Sequence, residues 1–388
     1  MARAKVTKKK VIKKSITKKR ISSKKRAPLL RKNVKGGHIL KKQTFGVERF
    51  EQNPIIVPRH TNAWESKATF NAAAIHDGEK VHLIYRAIGS DDVSVLGYAS
   101  STNGFEIDER LTKPVYSKRG SFKKVGEQMI PHSGVPYSSG GGWNGGCEDP
   151  RLTCIDDTVY MTYTAFDHWN SIRMALTSIT LDDFKNKKWH WTKAVYISPP
   201  GQIHKNWVIF PEKINGKYAV LHSISPTIQI EYVDSLKHFT GETFITSNYR
   251  SKEPYNHSWD NWVRGVGPSP MKTKYGWLIL YHAMDKNDPN RYKLGALLLD
   301  INNPGKILYR SSSPILEPDE HYENAGFKAG VIYCCGAVIK DNSLFVYYGG
   351  ADTVVCVASV DLDTFLKELM ATGTAHLTNV KKKKSTKK

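Results

Sequence analysis

The sequence is short of the features that would place it in several large classes. Its five cysteines, Cys147, Cys154, Cys334, Cys335 and Cys356, stand in 388 residues with no CxxC pair. An odd number without zinc spacing argues against a disulfide framework and a thiolate zinc site, and favours buried thiols in a reducing compartment. No uncharged apolar run reaches the about 18 residues that a membrane helix needs. The N-terminus has charge but no apolar leader stretch, so a cytoplasmic chain without a transmembrane segment is expected. The GxSxG elbow, the HExxH helix and the dinucleotide fingerprint are missing. Single histidines such as His60, His76 and His190 stand outside any metal spacing, so neither a metal nor an organic cofactor is expected. Helical periodicity is scarce and clearest at 362–371, which reads as a closing helix.

Acidic residues are missing from both ends. Residues 1–42 hold 18 Lys and Arg and residues 381–388 hold six, with no Asp or Glu in either, which leaves 34 basic against 36 acidic residues between them. The net charge of +22 therefore belongs to the ends, and the body is close to neutral. Like-charged blocks without apolar anchors read as disordered tails flanking one catalytic domain over 43–380. Such tails either solubilise the chain or attract polyanions, nucleic acid or an anionic surface, by charge alone. The oligomeric state is left open, a homo-oligomer included.

What is abundant is a repeated strand pattern. Residues 81–87, 159–165, 218–224, 277–283 and 344–349 are β-rich runs. They are entered from the turn pairs Asp77-Gly78, Asp156-Asp157, Asn215-Gly216, Tyr275-Gly276 and Asp341-Asn342, so each reads as a strand reached through a hairpin. Another apolar stretch precedes each turn (69–75, 151–155, 208–214, 267–273 and 336–339), and a third follows most of the strands. Three or four antiparallel strands recurring five times predict an all-β chain folded as a five-bladed β-propeller, with a β-sandwich as the alternative.

In a propeller the first strand of every blade lines the central channel, so distant positions converge there. The first strands and their entries supply Asn71, Glu148, Asp149, Arg151, Glu212, Lys213 and Arg264. The position after the strand tyrosine supplies Arg86, Thr164, Ser223, His282 and Tyr348. Polar groups at such positions are costly unless paired or used. In Glu148-Asp149-Pro150-Arg151 the proline fixes the backbone beside the acid and places the Asp149 carboxylate at the rim of its strand. The glycine-rich stretch at 138–146 reads as a lid over a sugar site or as an idle insertion; no helix and no Gly-Lys-Ser/Thr follow to make it a phosphate loop.

These residues carry a resemblance. Residues 68–75 with Tyr85-Arg86-Ala87, 147–153 followed by 160–166, 206–213, 265–270 with 276–282, and 347–352 together resemble glycoside hydrolase family 130, the β-mannoside phosphorylases and related mannosidases. The match runs over about 49–369 and looks closest to the β-1,4-mannooligosaccharide phosphorylases. Ser269, where proline is expected, and the glycine-rich stretch before Cys147 depart from that pattern. The resemblance implies a five-bladed propeller and inverting cleavage of a β-mannoside by inorganic phosphate, reversibly, to α-mannose 1-phosphate. Asp149 corresponds to the family's acid, acting through the 3-hydroxyl of the bound mannose. Asn71, Arg86, Arg151, Lys213, His282 and Asp352 look like its sugar and phosphate contacts, and Arg264 joins them by its place in the channel.

Chemistry supports this division independently. An inverting hydrolase needs two carboxyl groups, whereas phosphate is its own nucleophile and asks instead for cations. The rivals are an inverting β-mannosidase with Glu212 or Glu148 as base, and a non-catalytic propeller scaffold tethered by its tails.

Overall fold

The computed structural model describes residues 45–117, 145–166, 172–246 and 259–373. Both basic ends and residues 138–144 of the glycine-rich stretch lie outside the described residues. Strands dominate, in four sheets whose antiparallel ladders fall into five successive units, the first two joined in one sheet by a parallel pair between Ser94 and Gly146. After β1 (Glu48–Arg49), the first unit holds β2 (Ala68–His76), β3 (Val81–Ile88), β4 (Ser94–Ser101) and β5 (Glu109–Arg110). The second holds β6 (Gly146–Ile155), β7 (Thr158–Phe166), β8 (Ile172–Thr180) and β9 (Val195–Tyr196), and the third β10 (Val208–Ile209), β11 (Tyr218–Ser223) and β12 (Gln229–Val233). The fourth holds β13 (Trp262–Val266), β14 (Met271–Thr273), β15 (Gly276–Asp285), β16 (Asp288–Leu299) and β17 (Ile307–Arg310), and the fifth β18 (Ile332–Lys340), β19 (Ser343–Gly350) and β20 (Val354–Asp361). The early strand β1 pairs with β20, so the fifth unit is completed from the N-terminal side.

The expected hairpins form because their turn residues accept left-handed backbone. Gly78, Asp156, Asn215, Gly216, Asp341 and Asn342 all have positive φ. Two expected first strands are cut short where proline removes a ladder donor. The run at 208–214 forms a strand only at β10, ahead of Pro211, with a single bridge from Ile214 to Lys217 beyond it, and the run at 267–273 forms one only at β14, after Pro268 and Pro270.

The strands are apolar on both faces because both are covered. On β3, Val81, Leu83 and Tyr85 pack with Phe345, Tyr347 and Val357 of the fifth unit. Ile84 and Tyr98 pack the other way, with Met161 and Tyr163 of the second. The second and third units share a core around Trp207, the third and fourth one around Trp277, and the fourth and fifth one around Leu280 and Tyr348. Short helices α1 (Leu181–Lys185) and α2 (His321–Asn324) precede α3 (Leu362–Thr372), the closing helix. Asp361 caps α3 by accepting from Thr364 N–H, and Phe365, Leu366 and Leu369 enter the core of the fourth and fifth units.

Three units repeat a buried tyrosine, carboxylate and arginine set. Tyr85 donates to Glu65 at 2.8 Å, and Arg110 reaches the same oxygen at 2.6 Å. Tyr281 donates to Asp260 at 2.6 Å beside Arg310. Tyr348 donates to Glu323 at 2.8 Å beside Arg49. This corrects the repeat read from sequence, which aligned Tyr347 with Tyr85 and Tyr281 and placed Tyr348 in the channel. Tyr348 holds the tyrosine role, and Gly349 stands where Arg86 and His282 stand. A Cβ on Gly349 would meet Asn71 Oδ1 at 2.1 Å, so glycine is required there.

Candidate active site

One backbone irregularity recurs in the inner strands and aims the polar side chains. The register slips between Phe70 and Ala73, between Glu148 and Arg151, between Val263 and Gly265, and between Cys334 and Gly336. Asn71 (φ 51°), Asp149 (φ 50°) and Gly265 (φ 122°) are left-handed at three of these places, and Asn206 (φ 67°) is left-handed just ahead of β10. A bulge turns a side chain out of strand alternation, and asparagine and aspartate tolerate this backbone better than other side-chain-bearing residues.

The side chains so aimed meet in one buried network. Asp149 Oδ1 accepts from Asn71 Nδ2 at 2.8 Å and from Arg86 Nη1 at 3.2 Å. Arg86, 2% exposed, also donates to Glu148 Oε1 at 2.8 Å and to Ser94 Oγ at 3.0 Å. Lys205 Nζ donates to Glu148 Oε2 at 3.1 Å. Arg151 donates to the carbonyls of Asp149 (2.8 Å) and Gly267 (2.9 Å) and to Asn206 Oδ1 (2.7 Å). Tyr333 donates to the same Asn206 oxygen at 2.6 Å, and Asn206 Nδ2 donates to Arg264 O at 2.9 Å. Arg151 and Asn206 thus bridge four of the five units.

His282 stacks on Tyr333 with centroids 4.1 Å apart, and its Nε2 accepts from Cys334 N–H at 2.9 Å. The proton of the neutral ring is therefore on Nδ1, a buried donor without a hydrogen-bond partner among the described residues. Burial, and then the Arg151 charge, hold this imidazole down at about 3.

Two of the three carboxyls of the centre are shifted in opposite directions. Burial alone would push the Asp149 carboxyl up, but Arg86, Lys205, Arg151 and the Asn71 hydrogen bond outweigh it and hold it at about 2. The buried Asp352 carboxyl is pushed up to about 6 by burial, with Lys328 and Arg86 opposing and Asp149 reinforcing.

Of the residues predicted from sequence, Asn71, Arg86, Asp149 and Arg151 are joined directly, and Arg264, His282 and Asp352 border them. Lys213 is not brought in. It is exposed, with Nζ 4.8 Å from the Tyr218 ring, and its neighbour Glu212 pairs with Lys272 at 2.7 Å on the surface. Sequence reasoning missed Lys205, Asn206 and Tyr333. It started the third unit at 208, whereas the aimed residue is Asn206, so Lys205 corresponds to Glu148 and not to a strand interior. The signal was a polar His-Lys-Asn run just ahead of an apolar strand. Among the described residues no group of three or more His, Cys, Asp or Glu is arranged to hold a metal ion, and no helix is long and apolar enough to cross a membrane.

Residues 46–371 match the glycoside hydrolase family 130 model, described as β-1,4-mannooligosaccharide phosphorylase. A 1,2-β-oligomannan phosphorylase of Thermoanaerobacter sp. (strain X514) is 39% identical over 326 residues, 81% of this chain and 97% of that protein. The β-1,4-mannooligosaccharide phosphorylase of Ruminococcus albus is 27% identical over 219 residues, 55% of this chain and 62% of that protein. The solved β-1,2-mannobiose phosphorylase of Listeria innocua superposes with a TM-score of 0.62 at 25% identity, covering 84% of this chain and 99% of that one. With the whole body matched, the chain is a member of glycoside hydrolase family 130, an enzyme of the mannoside phosphorylase family.

Proposed function

We propose that this enzyme cleaves β-mannosides with inorganic phosphate and inverts the anomeric carbon, giving α-mannose 1-phosphate and a shortened sugar in a reversible reaction. The five units are taken as blades of a propeller whose axis holds the network. The observation that carries the reading is the carboxylate inventory. Asp149 faces the centre, while both oxygens of Glu148 are held by Arg86 and Lys205 and Glu212 lies on the surface in a pair with Lys272. Neither glutamate is free to activate water, which favours a nucleophile that brings its own charge, as phosphate does; Asp352 is the further carboxyl bordering the centre that a hydrolase would have to use as base.

On this reading a phosphate oxygen attacks C1 of the mannosyl unit as the bond to the glycosidic oxygen breaks. That oxygen takes its proton by way of the sugar 3-hydroxyl, which Asp149 serves. An ionised Asp149 suits the free site; arrival of the phosphate dianion adds negative charge and raises its proton affinity. Arg151 and Asn206 hold the strands that frame the phosphate side. His282 Nδ1–H supplies a neutral donor whose direction is set by Cys334 N–H.

The linkage cut is taken as β-1,2. The relative named for β-1,2 bonds is more similar, over nearly its whole length, than the relative named for β-1,4 bonds. This reverses the linkage expected from sequence motifs alone. Incubating the enzyme with β-1,2- and β-1,4-mannobiose, with and without phosphate, tests both parts. Mannose 1-phosphate from the β-1,2 substrate only is expected; turnover of β-1,4-mannobiose alone would reverse the linkage again. The ends 1–42 and 381–388 are taken as dispensable for turnover and responsible for salt-sensitive retention on polyanions, which a truncated chain on a heparin column would report.

A further inference from the structure

Asp149 and Arg86 are held in place by charge. His282 is a neutral ring, and two adjacent residues at the start of β18 hold it by other means. Cys334 N–H donates to His282 Nε2 at 2.9 Å. The Tyr333 ring lies within 11° of parallel to the imidazole, with centroids 4.1 Å apart. The hydrogen bond fixes one ring atom and so selects the nitrogen, while the stack selects the plane of the ring. The edge at Cε1 is left to Gly267, where a Cβ would stand 3.6 Å from that carbon and 2.9 Å from Cys334 O.

Tyr333 is itself fixed. Its hydroxyl donates to Asn206 Oδ1 at 2.6 Å, the oxygen that also accepts from Arg151 Nη2 at 2.7 Å. Burial, and then the Asp149 charge, push that hydroxyl well above the usual tyrosine range, so it stays a neutral donor. The Tyr292 ring tilts against Tyr333 with centroids 6.2 Å apart. The aromatic face on which His282 rests is thus tied to the third and second units through Asn206 and Arg151.

His282 Nδ1–H has no hydrogen-bond partner among the described residues although it is buried. Leaving such a donor unmet is costly, so an arriving oxygen gains by accepting from it. That bond lies in the ring plane and weakens steeply when its angle falls below about 120°, so a ring that tilts loses it. We propose that Tyr333 is a positioning residue for the reaction, holding the His282 ring by its face so that Nδ1–H is aimed at an oxygen of the bound substrate. The inference rests on the reading of this centre as the place of β-mannoside cleavage. It holds whichever acceptor takes the mannosyl group.

The test is a double-mutant cycle on the full chain, with kcat/KM for total β-mannoside cleavage as the readout, in Tyr333→Leu, His282→Ala and the two combined. Losing the aim of one neutral hydrogen bond is expected to lower kcat/KM in Tyr333→Leu about three- to tenfold. Tyr333→Phe keeps the ring and should recover most of that loss. With His282→Ala already present, Tyr333→Leu should cost little further, since a residue that acts through the histidine has nothing left to act on. Nitrogen magnetic resonance of histidine-labelled protein reads the ring without turnover. The His282 signals, assigned by their absence from His282→Ala, should show the Nδ1–H form in the wild type and Tyr333→Phe, and an average of both tautomers in Tyr333→Leu. Should the leucine variant not fold, Tyr333→Met removes the ring in its place. Wild-type kcat/KM in Tyr333→Leu, or a loss of the same size with and without His282, would overturn the proposal. So would a phenylalanine variant as impaired as the leucine one, because the tie to Asn206 and not the stack would then be at work. A chain that cleaves no β-mannoside would count against the proposed activity, while the nitrogen spectra would still decide whether Tyr333 holds the ring.

Discussion

Asn71 Nδ2 donates to Asp149 Oδ1 across 2.8 Å, and both residues sit at strand bulges with φ near 50°. The amide stabilises the ionised carboxylate and fixes the oxygen that faces it. Asp149→Asn keeps the shape but removes the proton carrier, so turnover is expected to fall about 100- to 10,000-fold, with the far-ultraviolet circular dichroism retained. Wild-type turnover in that variant would remove Asp149 from the acid role.

Arg86 joins two carboxylates in the same buried space. Arg86→Met would leave Glu148 with Lys205, and Asp149 without its ion pair, with the Asn71 hydrogen bond and the charges of Lys205 and Arg151 remaining. Unpairing a buried charge costs about 3–5 kcal/mol, so denaturant unfolding should show a loss of that order. A change below about 1 kcal/mol, the size expected of a surface pair, would mean that the arginine is not needed to hold the centre together.

Asp352 makes stability depend on pH with a definite sign. Its carboxyl stands at about 6 in the folded protein against 3.8 ordinarily. The folded state therefore favours the protonated form, whose stabilising effect is complete below about pH 4 and is lost as pH rises through 6. Asp352→Asn cannot ionise and should be more stable than the wild type above pH 6, by up to ~3 kcal/mol, with the difference fading toward pH 4. Melting temperatures across that range read it directly, and a difference that grows toward acid would contradict the assignment.

The tyrosine sets predict a contrast between neighbouring residues on one strand. Tyr348→Phe strips the donor from the buried Glu323 and should cost about 1–3 kcal/mol in chemical denaturation. Tyr347→Phe removes only a bond to the Gly104 carbonyl and should cost about 1 kcal/mol. Equal losses would mean that Tyr348 does not hold the tyrosine role in its unit.

The strands and their hairpins were legible because turn pairs such as Asn215-Gly216 and alternating apolar runs are local signals. So was the convergence of Asn71, Arg86, Asp149 and Arg151, which follows from equivalent places in the repeat. Two readings failed where the repeat slips by one or two residues. Tyr347 and Tyr348 both satisfy a strand pattern, and only packing against the preceding unit tells them apart. Lys213 sits in a strand-like run, but Pro211 ends the strand, and the aimed position falls at Asn206, with Lys205 beside it. A bulge has no local sequence mark other than a residue that tolerates positive φ, so its place cannot be counted from the ends of a strand.

The central claim is that phosphate, and not water, takes the mannosyl group. Purified enzyme given β-1,2-mannobiose and inorganic phosphate, followed by phosphorus and proton magnetic resonance, should form α-mannose 1-phosphate and mannose in equal amounts and stall when phosphate is withheld. Cleavage to mannose alone at the same rate with and without phosphate would contradict the account.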